Sequence, residues 1–231
     1  LIDMHYSAGY YLIIPKHEWS TVNGHRFRAR TWSVSTYISH VYPGIWGFDW
    51  KYSRRQLPKN FTPTDQELTA LHAWIGEAFA QGQYAWPGFF PTREKAVEFK
   101  SRFLQALPQV ELLGIFLHES HCSTANAEVE PHTGPDWPNL ATLLQQWVPE
   151  PEAGLTIGFD LLGLLDYGGY EPFSYHVLEQ EYQEAFGVVL NEYGLFTTVS
   201  DCQRVAAHTD TIADEPAVWL PFKTKLFGPE F

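Results

Sequence analysis

Cysteine is scarce in this chain: Cys122 and Cys202 are the only two in 231 residues. A secreted domain that depends on disulfides carries more, so the count points to a reducing, cytoplasmic setting, with a single Cys122–Cys202 bridge as the alternative. Long apolar runs are missing too. The longest, 112–117 and 161–165, are each interrupted by glycine and fall far short of the ~20 residues that cross a bilayer. No charged start followed by an apolar stretch marks a signal peptide. No Gly-x-Ser-x-Gly elbow presents a serine for acyl transfer. Gly158, Gly163, Gly168 and Gly169 do not form a dinucleotide or phosphate-cradling loop.

Positive charge is nearly absent from one half. Residues 107–231 hold 19 Asp/Glu against three Lys/Arg (Arg204, Lys223, Lys225), a net of −16. The first 60 residues hold eight Lys/Arg against three Asp/Glu, a net of +5. An acidic surface repels nucleic acid and anionic membrane and speeds encounter with basic partners. What the chain does have is apolar bulk: 45% hydrophobic and 16% aromatic residues, with nine Trp. That composition predicts a folded core stiffened by rings rather than a disordered chain. The length suits a single globular domain over 1–231, with a β-rich basic part at 1–60 and an acidic α/β part at 107–231.

Periodicity predicts the elements. Tyr10-Tyr11-Leu12-Ile13-Ile14 is a strand-like run closed by Pro15, and 26–32 alternates Arg with apolar residues. Asn23-Gly24 between them is a hairpin signal. Thr64-Asp65-Gln66-Glu67 is a capping box opening a helix that buries Leu68, Leu71, Ile75, Ala78 and Phe79. A second helix is expected over 92–107, ended by Pro108, with an aromatic loop at 85–91 before it. Residues 110–117 and 155–165 read as buried strands and 140–147 as a short helix. Pro172 is expected to start a helix closed by Gly187, followed by a short strand at 188–190, a helix at 201–208 and a last strand at 217–226. Pro149-Glu150-Pro151-Glu152 reads as a linker. The class is α+β (mixed α/β): a central mixed or antiparallel sheet with helices packed on it.

Four groups of residues carry possible chemistry. His118, Glu119, His121 and, further on, His132 are of zinc-ligand type. The His spacing of three differs from the helical i, i+4 motif, and on a continued strand His118 and His121 would face opposite ways. They can chelate only if the chain turns at Glu119. Cys122 has these histidines as neighbours in sequence. Asp160 interrupts an otherwise apolar strand and so needs a buried partner. Asp166-Tyr167-Gly168-Gly169-Tyr170-Glu171 reads as a flexible turn of binding-surface composition. With the acidic helix face of Glu179, Glu181 and Glu184 it makes the expected contact set. Trp46, Trp50, Trp86 and Phe89 are candidates for a carbohydrate platform.

With no complete catalytic set, the functional expectation is an acidic, cofactor-free binding protein that recognises or neutralises a basic protein partner. The comparison with immunity-type inhibitors is one of charge and size only. The alternatives are a zinc-dependent hydrolase, with Glu119 as general base, and an aromatic carbohydrate-binding module.

Overall fold

The computed structural model describes residues 4–14, 19–22, 25–28, 32–33, 61–85, 88–107, 109–128, 140–165, 170–172, 179–209 and 217–228. Its frame is a six-stranded antiparallel sheet in the order β4-β1-β5-β8-β6-β7. The strands are β1 (His5–Ile14), β4 (Trp32–Ser33), β5 (Glu111–His118), β6 (Leu155–Leu164), β7 (Tyr170–Pro172) and β8 (Val218–Phe227). A separate hairpin pairs β2 (Trp19–Val22) with β3 (His25–Arg28), Val22 opposite His25, so the register leaves Asn23 and Gly24 between them. The α+β class is thus observed, in its antiparallel form.

Alternation along β8 sorts the layers. Trp219, Lys223, Lys225 and Phe227 share one face; Leu220, Phe222 and Thr224 share the other. On the first face α1 (Asp65–Ala80) and α2 (Arg93–Phe103) cover Tyr10, Leu12, Phe116 and Phe227. Trp74, Tyr84, Phe90 and Phe99 interlock there, with Trp74–Phe99 centroids 5.0 Å apart and Tyr84–Phe90 4.9 Å apart. Full burial of one such side chain stabilises by about 1.5–3 kcal/mol. Further along the same face, α6 (Val199–Thr209) packs Cys202 and Val205 on Leu161, Phe196 and Trp219. The opposite face is covered by α3 (Glu119–Glu128) and α4 (Leu140–Leu144) over Ile115, Leu117 and Phe222.

Local chemistry explains the boundaries. Thr64 and Glu67 form the expected capping box, and Leu68, Leu71, Ile75, Ala78 and Phe79 are all buried beneath it. Thr92 caps α2 by accepting from the Lys95 N–H. That helix stops at Phe103, a turn before the expected end at 107, and Leu104 becomes its C-cap. Gly187 ends α5 (Glu179–Phe186) with φ at 65°, a conformation glycine adopts without a Cβ penalty. β1 begins at His5, five residues before the apolar run, and bulges at Gly9. A Cβ there would lie 2.7 Å from Leu143 Cδ1, and φ is 118°.

Several expectations are corrected. Pro172 does not open a helix: it ends β7, opposite Leu162, where an edge strand tolerates a residue without an N–H. Residues 188–190 form no strand, although Val188 and Leu190 are buried and Phe159 bridges to Phe196 nearby. The helix at 140–147 is only five residues long and gives way to turns, with Trp147 at φ 51°. Strand β6 is exposed at its start, Leu155 at 64%, and buried only past its bulge at Gly158. The two cysteines are free and sit in different clusters, so no bridge joins them. Among the described residues no helix is long and apolar enough to cross a membrane.

Candidate functional site

One polar cluster is built into the sheet, and the stretch read as a linker makes it. After α4 the chain docks on β1: the Ser7 N–H donates to Val148 O at 2.7 Å and the Glu150 N–H to His5 O at 2.9 Å. It then continues to β6, carrying Glu150 to the face that bears Lys223 and Lys225. Lys223 Nζ donates to Glu150 Oε2 at 2.9 Å, and Lys225 Nζ lies 3.0 Å from Oε1. Lys225 also donates to Pro151 O at 2.7 Å, and its ammonium stands 6.0 Å from the Phe116 ring centroid. An ammonium has only donors, so His5 Nδ1, 3.2 Å from Lys223 Nζ, accepts. Burial alone would raise the Glu150 pKa, but the hydrogen bonds and charges of the two lysines outweigh it and hold the carboxyl below its ordinary range. Both carboxylate oxygens are therefore engaged, and Glu150 acts as a tie rather than a general base.

The histidine motif sits beside this cluster. β5 ends at His118 and α3 starts at Glu119, where the Glu119 N–H donates to Met4 O at 3.0 Å. The chain thus makes the turn that chelation requires. The His118 and His121 ring centroids are 6.3 Å apart, and His5, which the sequence pattern did not single out, lies 5.1 Å from His118. However, the Nδ1 of His118 is occupied: Ser120 Oγ is at 2.6 Å and the Ser120 N–H donates to it at 3.2 Å. Burial, and then the neighbouring His118, lower the His121 pKa and favour its neutral form. Glu119 is exposed and His132 lies outside the described residues. Among the described residues no three His, Cys, Asp or Glu side chains are placed to hold a metal ion. Burial first, and Glu119 second, push the Cys122 thiol up to about 11, so it offers little thiolate as nucleophile or ligand.

The expected contact residues separate. Asp166 and Tyr167 lie outside the described residues. Tyr170 and Glu171 are not in a flexible turn; they pair with Leu164 and Gly163 on β7, the terminal strand of the sheet. Glu179, Glu181 and Glu184 are on α5, and Glu184 is exposed. The backbone of α5 lies against β3, the strand that carries Arg26 and Arg28; Arg30 lies outside the described residues. Asp160 is buried, and its carbonyl accepts from the Cys202 thiol. Of the carbohydrate candidates, Trp46, Trp50 and Trp86 lie outside the described residues, and Phe89 is 2% exposed. Phe89 is a core ring and no sugar platform. The residues that sequence reasoning missed are His5, Glu150, Lys223 and Lys225. Their one available signal was two lysines spaced i, i+2 inside an apolar strand. Compared with known protein families, curated proteins and solved structures, the chain matches none of them.

Proposed function

We propose that the chain is a cytoplasmic binding protein that recognises a basic protein partner, in the manner of an inhibitor. Asp166, Tyr167, Tyr170, Glu171, Glu179, Glu181 and Glu184 form its contact set. The observation that carries this reading is the use of the acidic half's cations. Arg204 is taken by Asp201 at 2.6 Å, and Lys223 and Lys225 by Glu150 at 2.9 and 3.0 Å. All three Lys/Arg of 107–231 are thus engaged by acids of the same half, and its remaining acids carry the field that an incoming partner meets. The neighbouring α5 and β3 already juxtapose an acidic and an arginine-bearing segment within this chain.

The test starts from a partner recovered by affinity capture and purified. The reading expects that partner to be basic and its association rate to fall steeply as salt rises from ~0.05 to ~0.5 M, as the Debye length shrinks. Changing Glu171, Glu179, Glu181 and Glu184 together to Gln should slow association at low salt. An acidic partner, or a rate that this variant leaves unchanged, sinks the proposal.

A metal-dependent hydrolase, with zinc as the ion, is the second reading: the turn at Glu119 brings His5, His118 and His121 near one another, although no three ligands among the described residues are placed to hold an ion. Native mass spectrometry of protein purified without chelator decides it. One bound zinc, lost in His118→Ala or His121→Ala, supports it; metal-free protein removes it.

A further inference from the structure

Far along the chain from the polar cluster, helices α1 and α2 and the extended residues 61–63 enclose a groove of about 450 Å³. That size lies within the ~300–1,000 Å³ of small-molecule sites. Its floor is apolar: Phe61 and Leu71 are buried members of the core beneath it, and Pro63 and Phe103 are half-buried at its sides. Its rim carries one charge of each sign, Glu67 from α1 and Arg102 from α2.

Both charges are available. The Arg102 guanidinium stands 5.0 Å from the Phe103 ring centroid and forms no ion pair among the described residues. Glu98, one turn earlier on α2, is already held by Lys95 at 2.9 Å. Glu67 uses only Oε2 in the capping box, accepting from the Thr64 N–H at 2.7 Å and its hydroxyl at 2.8 Å. Its Oε1 takes no donor among the described residues. Glu67 and Arg102 therefore line the same groove without bonding to each other. A carboxylate and a guanidinium that form no ion pair among the described residues, set above an apolar floor, complement a ligand with a cation, an anion and a hydrophobic group close together. A fatty acid would meet Arg102 and leave Glu67 without a cation, and a simple amine would meet Glu67 and leave Arg102 without an anion.

We propose that this groove binds a free α-amino acid with an apolar side chain. The ligand carboxylate meets Arg102, its ammonium meets Glu67, and its side chain rests on Phe61, Leu71 and Phe103. This site is independent of the basic-partner reading, since it uses neither β7 nor α5.

The experiment is isothermal titration calorimetry of the full chain with L-phenylalanine, 3-phenylpropionate and phenethylamine. L-Phenylalanine should bind at least about tenfold more tightly than either analogue, each of which lacks one charge-assisted contact. Glu67→Gln keeps the capping box, because Gln serves at that position. It should bring L-phenylalanine down to the affinity of phenylpropionate and not weaken phenylpropionate itself. Arg102→Gln should bring L-phenylalanine down to the affinity of phenethylamine. Circular dichroism and unfolding midpoints matching the parent establish that both variants fold. Absence of binding by L-phenylalanine at about 10 mM, where a millimolar site would be mostly filled, overturns the proposal. So does an affinity that neither variant changes.

Discussion

Replacing Glu150 with Gln removes the one negative charge between Lys223 and Lys225 while keeping the side chain's size. At an effective dielectric of about 20, each contact of 2.9–3.0 Å is a Coulomb attraction of about 5–6 kcal/mol. Most of that offsets the desolvation of the ions, several kcal/mol each. The measurable loss is the cost of leaving ammonium groups where the Lys225 side chain is 6% and the Lys223 side chain 18% exposed, about 3–5 kcal/mol for a broken buried pair. The Gln oxygen still accepts one bond, which places the expected loss near the lower end, about 3 kcal/mol. Urea unfolding at neutral pH should show a lower midpoint at unchanged slope. Adding Lys225→Met should recover part of the loss, because one stranded charge then disappears. The Glu150 carboxyl has a folded-state pKa below its unfolded value. As pH falls, the unfolded chain takes up that proton first. The contribution is whole above the ordinary Glu pKa near ~4.3, declines below it, and is gone once pH passes the lower folded value. Glu150→Gln should therefore also lack this part of the acid slope. A loss under about 1 kcal/mol, or no recovery in the double variant, would refute the reasoning.

Thr64→Ala removes the N-cap of α1 and should cost about 1 kcal/mol in the same assay. Gly9→Ala should cost more, about 1–3 kcal/mol, since a Cβ meets Leu143 at 2.7 Å on a backbone at φ 118°. Burial lowers the His72 pKa from 6.5 to about 4. The unfolded chain therefore binds a proton that the folded one refuses, so stability present above about 6.5 declines as pH falls toward 4. His72→Leu should flatten the stability profile across that window. With its thiol pushed up to about 11, Cys122 should react with iodoacetamide in native protein far more slowly than in urea. Equal rates would contradict its burial.

The helical layer was the most legible part of the fold. The capping box at Thr64 and the stripe from Leu68 to Phe79 are local signals that set α1, and the helix expected from 92 starts where Thr92 caps α2. The strands were found within a residue or two where apolar residues dominate the run, as in β5 and β8, despite Gly114 in the one and Lys223-Thr224-Lys225 in the other. Failures came where long-range pairing overrode a local cue. Pro172 suits a helix start by propensity, but pairing with Leu162 on a sheet edge decides its place. Val188 and Leu190 alternate as a strand would, yet find burial without a partner strand. In the histidine motif, ligand type was readable. The turn at Glu119 was not, because it depends on Met4, more than a hundred residues earlier, accepting the Glu119 N–H.

The polar cluster was illegible for a more specific reason. Prolines at 149 and 151 remove two backbone donors, and a donor-poor stretch reads as a linker, although Glu150 between them still donates its N–H to His5 O. On a sheet face that already has cations, the same property is an advantage. The backbone needs acceptor satisfaction more than donor satisfaction, and Lys225 supplies it by donating to Pro151 O at 2.7 Å and reaching Glu152 O at 3.5 Å. Lys223 and Lys225, two residues apart on one strand, then share the single carboxylate of Glu150 from the same side. A lysine pair in an apolar strand requires a buried acid somewhere in the chain. With 19 acids in this half, spacing alone cannot say which one, because the partners are more than 70 residues apart. The charge split that suggested a partner therefore has two parts. One is internal and ties the 149–154 crossing to the sheet. The other, exposed acids such as Glu184 and Glu192, is the part on which the proposed basic partner would draw.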